Sequence, residues 1–397
     1  MTTEEIIRKS REHELDVYAR YPVAFVRGQG CRLWDADGKA YLDLFAGLAV
    51  NNLGHCHPEI VRAVQEQAAK LSHASNLYYT EPAARLVELL CRQSFADRVF
   101  LSNSGAEANE AALKIARRHG FSSKGGRNEI IAAHGSFHGR TLATLTATGQ
   151  EKHRVGFEPL LPGIRLVPYD DIDALTRAVS ESTVAIMLEP IQGEGGVVLP
   201  APDYLRRVRE ICDRHGLLLI LDEVQVGLGR TGRLFAHEHA CITPDIMTLA
   251  KALGGGLPIG ATLTRGDVAA SMGLGAHGST FGGNPVVCAA AVRTLEVLLE
   301  EGVVENCARV GTYFAERLRT MAGNVPMVRD VRGQGLFLGM EIDRPGRPIV
   351  DACLEEGLVI NCTADRVLRF IPPLIISREE IDEACTILER VLGRAAG

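Results

Sequence analysis

Several features that mark broad classes of protein are missing from this sequence. The formal net charge is −6 at pH 7, so the chain has no excess of positive charge with which to attract nucleic acid. Its ten cysteines include no Cys-x-x-Cys pair, which argues against a zinc ribbon or a disulfide framework and favours a reducing compartment. No apolar run approaches the ~20 residues of a membrane helix, and the N-terminus has no signal-peptide core. We therefore expect a cytoplasmic protein that binds neither nucleic acid nor membranes.

Lysine is also scarce, with seven lysines beside 36 arginines. Lys251 is the only lysine after Lys152, and it lies in an apolar segment that leads into the glycines at 254–256. A lysine in such a segment can simply lay its methylene groups on apolar surface. A buried lysine, however, has a lowered pKa and can act as an amine nucleophile toward a carbonyl compound. Because the chain otherwise uses arginine for its cations, we interpret Lys251 as a catalytic amine.

Apolar, strand-like runs alternate with helices from about residue 98 onward. Strands are predicted at 99–101, 130–132, 164–167, 184–188, 217–221 and 246–249. Near-continuous apolar runs are typical of parallel strands that are covered on both faces. The predicted fold class is therefore α/β, with a mostly parallel, doubly wound sheet in a large domain at 56–287. A smaller α+β domain is expected at 288–397, and the N-terminal segment 1–55, with a helix to about residue 20 and a hairpin, would pack with it.

A helix is predicted to begin directly after the strand at 99–101. Ser104 and Glu107 have the spacing of a capping box, and the helix is expected to end near Gly120. Free N–H groups at a helix start, at the carboxyl edge of a sheet, can bind a phosphate. An ordinary capped helix would have the same sequence, so the interpretation depends on the other motifs.

Further polar and aromatic residues follow other predicted strands. Asp222 ends an apolar run, which places a carboxylate at the same edge of the sheet. Phe137 and Arg140 offer a ring and a guanidinium, although core packing and a surface ion pair are alternative roles for them. Glu194 lies in a glycine-rich loop, and Arg369 stands in an apolar segment, where a cation is expected to face a pocket or a carboxylate.

Two segments suggest nucleotide binding, but their contexts do not support it. The run that ends at Asp222 resembles a Walker-B strand, yet the sequence has no Gly-x-x-x-x-Gly-Lys-Ser/Thr loop. The segment 227–232 has the letters Gly-x-Gly-x-x-Gly without the strand, helix and downstream acid that a dinucleotide site needs. We interpret it as a turn-rich loop. No metal site is predicted, because ligand spacing is absent around the histidines His55, His57, His237 and His239.

The remaining groups suit one kind of cofactor. An aldehyde would react with Lys251, a phosphate would bind the helix start, an aromatic ring would stack on Phe137, and a protonated ring nitrogen would pair with Asp222. Pyridoxal 5′-phosphate carries all of these groups. We therefore predict that the protein binds it.

The motifs around these residues resemble those of class III (subgroup II) pyridoxal-phosphate aminotransferases of fold type I. The resemblance covers nearly the whole chain and is looser in the C-terminal part outside 331–340 and 367–374. The matching segments are Gly54–Pro58, Ser102–Glu110, Phe137–Thr141, Glu189–Glu194, Leu221–Gln225, Ala250–Gly256, Ser279–Pro285 and Arg369–Pro373.

The resemblance implies a role for each matching residue. Lys251 would hold the cofactor covalently and later transfer a proton, and Asp222 would keep the pyridine nitrogen protonated. The other cofactor-binding residues would be Ser104, Gly105, Ala106, Phe137, Glu223, Val224, Gln225 and Thr280. The substrate-binding residues would be Arg140, Ser279, Glu194 and Arg369.

Two of these roles imply more than local binding. Thr280 would reach the phosphate held by a partner subunit, which implies an obligate homodimer with shared active sites. Arg140 and Arg369 would bind substrate carboxylates, with Glu194 as a switchable partner of Arg369. One pocket could then accept both a monocarboxylate amine donor and dicarboxylic glutamate.

Within the family, the resemblance implies ping-pong amino transfer from N-acetylornithine to 2-oxoglutarate, a step of arginine biosynthesis. Leu48 stands where the related ornithine enzymes tend to carry a tyrosine, and a leucine offers no hydroxyl to a free α-amino group. Ornithine, succinylornithine and succinyldiaminopimelate are alternative donors. A pyridoxal-phosphate-dependent aminomutase is a more distant alternative, which the pair of Glu194 and Arg369 disfavours.

Overall fold

A computed structural model describes residues 1–396. Within them the strands, in chain order, are β1 Phe25–Gln29, β2 Arg32–Asp35, β3 Ala40–Asp43, β4 Arg98–Ser102, β5 Glu129–Ala133, β6 Ile164–Val167, β7 Thr183–Leu188, β8 Leu218–Asp222, β9 Ile246–Leu249, β10 Gly260–Thr264, β11 Val328–Gln334, β12 Phe337–Ile342, β13 Leu358–Val359, β14 Asn361–Thr363 and β15 Val367–Phe370. The helices are α1 Thr3–His13, α2 Ala46–Ala49, α3 Pro58–Lys70, α4 Glu81–Gln93, α5 Gly105–Ser123, α6 Leu142–Ala147, α7 Ile172–Ala178, α8 Tyr204–His215, α9 Gly266–Ala269, α10 Pro285–Glu300, α11 Val303–Asn324, α12 Arg347–Glu355 and α13 Arg378–Ala396.

The largest sheet has seven strands in the order β4-β10-β9-β8-β7-β5-β6. Its strands are parallel except β10, which runs antiparallel to both of its neighbours. Every residue of β7, β8, β9 and β10 is buried, because separate apolar clusters with helices cover the two faces. The prediction of a doubly wound, mostly parallel α/β sheet is confirmed.

Three local details differ from the sequence-based expectation. The N-terminal helix ends at His13 rather than near residue 20, and none of its residues is buried. Helix α5 continues past Gly120 to Ser123, because Gly120 serves a close backbone contact and not a cap. A Cβ at Gly120 would lie 1.9 Å from the carbonyl oxygen of Arg127. Strand β10 was not predicted, since its small and hydroxyl-bearing residues do not form a long aliphatic run.

The two ends of the chain form two further sheets of four strands, ordered β1-β2-β3-β13 and β11-β12-β15-β14. Strand β13 pairs in parallel with β3, so the N-terminal hairpin is joined directly to the C-terminal part of the chain. The domain boundaries at 55/56 and 287/288 stay a prediction. Within residues 1–396, no helix has both the length and the apolar character needed to cross a lipid bilayer.

We expect Gly311→Ala in α11 to lower the free energy of unfolding by roughly 1–3 kcal/mol, the usual cost of overpacking. Alanine normally stabilises a helix relative to glycine. Here the added Cβ would lie 2.3 Å from the backbone of Gly335, so the helix and the β11–β12 turn would have to separate. The measurement is urea unfolding of the two proteins followed by circular dichroism.

Gly323→Ala in the same helix is the matched control, because a Cβ there would meet nothing within 4 Å. It should leave stability unchanged or raise it by up to about 1 kcal/mol. Equal effects of the two substitutions would contradict the close contact at Gly311.

Candidate active site

The carboxyl ends of β4, β5, β7, β8 and β9 lie at one edge of the large sheet, as parallel strands require. A cavity of about 450 Å³ opens at this edge. Among the residues that line it are Asn103, Ser104, Gly105, Ala106, Asn109, Phe137, His138, Arg140, Glu189, Asp222, Val224, Gln225 and Lys251. The structure therefore brings together most of the residues that the sequence predicted to share a site.

Helix α5 points its first turn at the cavity. The Ser104 hydroxyl accepts a hydrogen bond from the N–H of Glu107 at 3.2 Å. The Glu107 carboxylate accepts from the backbone N–H of Asn103 at 2.8 Å rather than from that of Ser104, so the expected reciprocal capping box is shifted by one residue. The first N–H groups of a helix have no acceptor within it, so those of Gly105 and Ala106 are available to an anion.

Asp222 ends β8 as a buried carboxylate held by three donors. It accepts hydrogen bonds from Asn109 Nδ2 at 2.7 Å, from His138 Nδ1 at 2.8 Å and from the N–H of Val224 at 3.0 Å. Burial alone would lower the pKa of His138, but the hydrogen bond and charge of Asp222 outweigh it and raise that pKa. These three contacts fix the position of Asp222, which lines the cavity.

Lys251 lies two residues after the end of β9 and has a φ of 42°, which is uncommon for a residue other than glycine. Burial of its ammonium group lowers the pKa of Lys251, while the charges of Glu194 and Asp222 act in the opposite direction. A larger fraction of Lys251 is therefore neutral near neutral pH than would be the case for an exposed lysine.

Glu194 and Arg369 form an ion pair with 2.6 Å between Oε1 and Nη1. Burial would raise the pKa of Glu194, but the charges of Arg369 and Lys251 and the hydrogen bonds from Arg369 and Gln225 together outweigh it and lower this pKa to about 2. Gln225 joins the pair, since its amide accepts from Arg369 at 2.9 Å and donates to Glu194 at 3.2 Å. The Arg369 side chain is 1% exposed and that of Glu194 is 26% exposed, so the carboxylate is the less enclosed member of the pair.

Glu189 and His138 were not assigned roles from the sequence, although both stand inside matching motifs. Glu189 is buried, and its carboxylate accepts hydrogen bonds from the N–H groups of Phe137 at 2.9 Å and Gly193 at 3.1 Å. Burial raises the pKa of Glu189 to about 7 in spite of these donors and of His138. Phe137 is 52 residues from Glu189, and Asp222 is 84 residues from His138, so no local pattern could have identified these contacts.

Arg140 is exposed beside the aromatic ring of Phe137, with 5.5 Å between the guanidinium carbon and the ring centre. Its charge is therefore free to meet a ligand at the entrance of the cavity. Phe137 is half-buried and presents its ring to the same space.

Five predicted site residues do not line the cavity. Glu194 and Arg369 are connected to it through Gln225, and the other three are Glu223, Ser279 and Thr280. Glu223 turns away from the cavity, and its carboxylate accepts from the N–H groups of Ala236 and His237 at 2.6 and 2.8 Å. Ser279 and Thr280 border a separate surface cavity. Ser279 is nevertheless one contact away, because Asn103, which lines the main cavity, donates to its hydroxyl at 3.1 Å.

A left-handed turn at Ala46–Ala49 precedes one of the segments that line the cavity. Its four consecutive residues have φ between 50° and 70°. Such a conformation costs a residue other than glycine ~1–2 kcal/mol. Asp43 supports the turn, since its Oδ1 accepts from the N–H groups of Phe45 and Ala46 at 2.8 and 2.9 Å. Val50, which follows the turn, lines the cavity.

The chain belongs to the class III aminotransferases, because the family model described as Aminotransferase class-III matches residues 16–392. Enzymes of this family are pyridoxal-phosphate-dependent transaminases, and this chain is one of them. The predictions of the family and of a transaminase are confirmed.

Individual relatives agree with this assignment. The acetylornithine aminotransferase of Methanothermobacter thermautotrophicus is 51% identical over 392 residues, which cover 99% of each chain. The ornithine aminotransferase of Toxoplasma gondii superposes with a TM-score of 0.97 at 38% identity, covering 100% of this chain and 96% of that one. A second structure of the Toxoplasma gondii enzyme, with a TM-score of 0.95, 38% identity and coverage of 98% and 94%, has pyridoxal phosphate at partial occupancy in its active site.

We expect Glu189→Gln to change how stability depends on pH. The pKa of Glu189 is raised from 4.5 to about 7, so folding takes up a proton in this window and the wild-type protein loses stability as the pH rises through it. The variant lacks this loss. Its free energy of unfolding relative to wild type should therefore increase between about pH 4.5 and 7, by roughly 3 kcal/mol at most.

Urea unfolding at several pH values measures this difference. Glu66→Gln, which removes an exposed carboxylate, is the control and should give a curve parallel to that of wild type. A curve for Glu189→Gln that is also parallel would show that the carboxyl titrates alike in the folded and unfolded chain.

Proposed function

We propose that this protein transfers the δ-amino group of N-acetylornithine to 2-oxoglutarate, with pyridoxal 5′-phosphate held in the cavity around Lys251. The observation that carries the proposal is that one cavity of about 450 Å³ is lined by Lys251, by Asp222 and by the first turn of α5. An amine, a buried carboxylate and an anion-binding helix start match the aldehyde, the ring nitrogen and the phosphate of this cofactor. The reaction would belong to arginine biosynthesis, and we propose that it takes place in the cytoplasm.

The residues present fit the cofactor. Gly105 allows the start of α5 to approach the loop after β8, since a Cβ there would lie 2.8 Å from Val224. Lys251 would hold the aldehyde carbon, Ser104, Gly105 and Ala106 would hold the phosphate, and Phe137 would cover the ring. Bound pyridoxal phosphate supplies a ring that withdraws electrons from the substrate carbon that gains or loses a proton.

The protein's own groups would control charge and protons around that ring. Asp222, fixed by Asn109 and His138, would stabilise a proton on the ring nitrogen. Lys251 Nζ would carry the proton that moves during transfer, a role for which its lowered pKa suits it. Gln225 would donate a hydrogen bond to the phenolic oxygen of the ring.

The ion pair of Glu194 and Arg369 would allow two kinds of substrate to use one cavity. With the pair closed, Arg140 alone would bind the carboxylate of N-acetylornithine. With Glu194 displaced, Arg369 would be free to bind the α-carboxylate of glutamate or 2-oxoglutarate while Arg140 binds the other carboxylate. The greater exposure of Glu194 supports movement of the carboxylate and not of the arginine.

The choice of N-acetylornithine rests on the curated relative with 51% identity and on the neighbourhood of Leu48. Leu48 packs against an apolar cluster that includes Ile191, Val226 and Ile371. The side chains of Leu48 and of these neighbours offer no hydrogen-bond partner to a free α-amino group, and an unpaired buried polar group costs ~1–3 kcal/mol. Ornithine is the alternative donor, favoured by the fold similarity to the Toxoplasma gondii ornithine aminotransferase.

We expect kcat/KM with 2-oxoglutarate to be about tenfold higher for N-acetylornithine than for ornithine, because ~1.4 kcal/mol of lost hydrogen bonding corresponds to this factor. Steady-state assays with N-acetylornithine, ornithine, succinylornithine and succinyldiaminopimelate measure the preference. Lys251→Ala is the control and should abolish turnover of every donor. A preference for ornithine would assign the protein to the alternative reaction, and turnover by Lys251→Ala would refute the role of the amine.

We further propose that the enzyme is a homodimer in which Thr280 completes the partner's site. Thr280 is exposed and borders a cavity of about 600 Å³ on the surface. The aromatic side chains of Tyr78, Tyr79 and Phe281 are exposed around it. A cluster of exposed aromatic groups is typical of a protein interface.

Subunit mixing tests the shared site. Lys251→Ala and Thr280→Glu should each be nearly inactive, the second because a carboxylate would repel the phosphate. A mixed dimer would contain one site with an intact lysine and an intact threonine, so random exchange should restore roughly a quarter of wild-type activity. A mixture no more active than its parts would show that Thr280 serves its own subunit or none.

A further inference from the structure

Arg230 is a fully buried arginine that the proposed reaction does not use. It lies in the segment 227–232 after β8 and is 0% exposed. Its guanidinium donates to the carbonyl oxygen of Leu336 at 3.0 Å, to the carbonyl oxygen of Pro372 and to the side-chain oxygen of Asn52. All three acceptors are neutral oxygens.

A buried cation whose hydrogen-bond acceptors are all neutral is costly, because none of them is a carboxylate that would offset its charge. Burial lowers the pKa of Arg230 to about 10, which still leaves the group charged at neutral pH. An apolar side chain would fill the space without this cost. The arginine must therefore supply something that packing alone does not, and its fork of donors can join several segments at once.

The three acceptors belong to segments that are distant in sequence. Asn52 follows the left-handed turn at 46–49 and also accepts from the N–H of Leu374 through its backbone oxygen, at 2.7 Å. Leu336 lies in the turn between β11 and β12, and Pro372 follows the end of β15. Arg230 therefore ties the loop after β8 to both chain ends at a single point.

The glycines of the Gly-x-Gly-x-x-Gly segment make this contact possible. A Cβ at Gly229 would lie 3.0 Å from Leu374, and one at Gly232 would lie 3.0 Å from Ala308. Both have positive φ, at 88° and 86°. The pattern that mimics a dinucleotide fingerprint thus serves the close approach of this loop to α11 and to the segment after β15.

Arg369 lies on β15, three residues before Pro372. The hydrogen bond from Arg230 to Pro372 therefore holds the chain close to Arg369. The loop that carries Arg230 also carries Gln225, whose amide contacts Arg369 at 2.9 Å. Arg230 and Gln225 therefore hold β15 at two points, one at its end and one at its functional side chain.

We propose that Arg230 is a positioning residue that fixes Arg369 relative to the Lys251 cavity, and that it thereby determines how well the enzyme takes dicarboxylic substrates. The proposal rests on the proposed function, in which Arg369 binds the α-carboxylate of glutamate but remains paired with Glu194 when N-acetylornithine is bound. Loss of Arg230 should then damage the glutamate half-reaction and spare the other one.

The test measures the two half-reactions separately on holoenzyme, by the change of cofactor absorbance on mixing with glutamate or with N-acetylornithine. For Arg230→Met we expect the glutamate concentration for half-maximal rate to rise about tenfold or more, the effect of losing one well-placed charged contact. The value for N-acetylornithine should change less than about twofold, which is within the usual effect of a substitution away from the contacts. Urea unfolding of each variant provides a readout that is independent of activity.

Arg209→Met is the matched control. Arg209 is a largely buried arginine on α8 that pairs with Asp245 at 2.7 Å, away from the cavity. This variant should be destabilised without any change in the ratio between the two half-reactions. If Arg230→Met does not fold, Arg230→Lys is used instead, because it keeps the charge but not the fork of donors and should show the same selective loss.

Parallel loss of both half-reactions in the Arg230 variant, or no change in either, would overturn the proposal. The proposed function fails separately, if the wild-type holoenzyme reacts with glutamate but not with N-acetylornithine. In that case the half-reaction with glutamate is compared with that of whichever monocarboxylate amine the wild-type enzyme accepts. The ratio between these two half-reactions then decides the role of Arg230.

Discussion

The buried charges of Asp222 and Arg369, at the carboxyl edge of the large sheet, are each stabilised by near neighbours, and the rest of the site depends on this arrangement. An isolated charge in such surroundings costs several kcal/mol. Asp222 therefore has Asn109 and His138 within hydrogen-bonding distance, and Arg369 has Glu194. Because these partners come from different strands and loops, the sheet can present its charges only when the whole edge is assembled.

The balanced charges differ in how firmly they are held. Asp222 is buried and receives three hydrogen bonds, so its position is fixed by the fold. The Glu194 carboxylate is more exposed and can be displaced without disturbing a strand. The fixed carboxylate suits a permanent cofactor, whereas the displaceable one suits substrates that alternate within each catalytic cycle. Gln225 lies between the two regions, since it lines the cavity and also contacts Arg369.

The sequence was sufficient for features that depend on local apolar pattern, and insufficient for those that depend on distant partners. The buried strands β7 and β8 are continuous apolar runs, so the sheet and the placement of Asp222 at its edge could be predicted. Glu223 stands next to Asp222, but successive side chains of an extended chain point to opposite sides, and its carboxylate faces His237 instead of the cavity. The end of α5 was misjudged because the neighbour of Gly120 is a carbonyl brought there by the tertiary fold.

The left-handed turn at 46–49 has a consequence for the order in which the chain folds. Its left-handed backbone conformation is unfavourable by itself, so the turn has little tendency to form in the unfolded chain. The contacts that stabilise it come from Asp43 at the end of β3 and from the pairing of Leu44 with Ile371, a partner more than three hundred residues away. Contacts of such long range form only after the entropy of closing the intervening loop has been overcome. We therefore expect this wall of the cavity to be acquired late, once the C-terminal strands have reached the N-terminal hairpin, and a chain that ends before Ile371 to lack it.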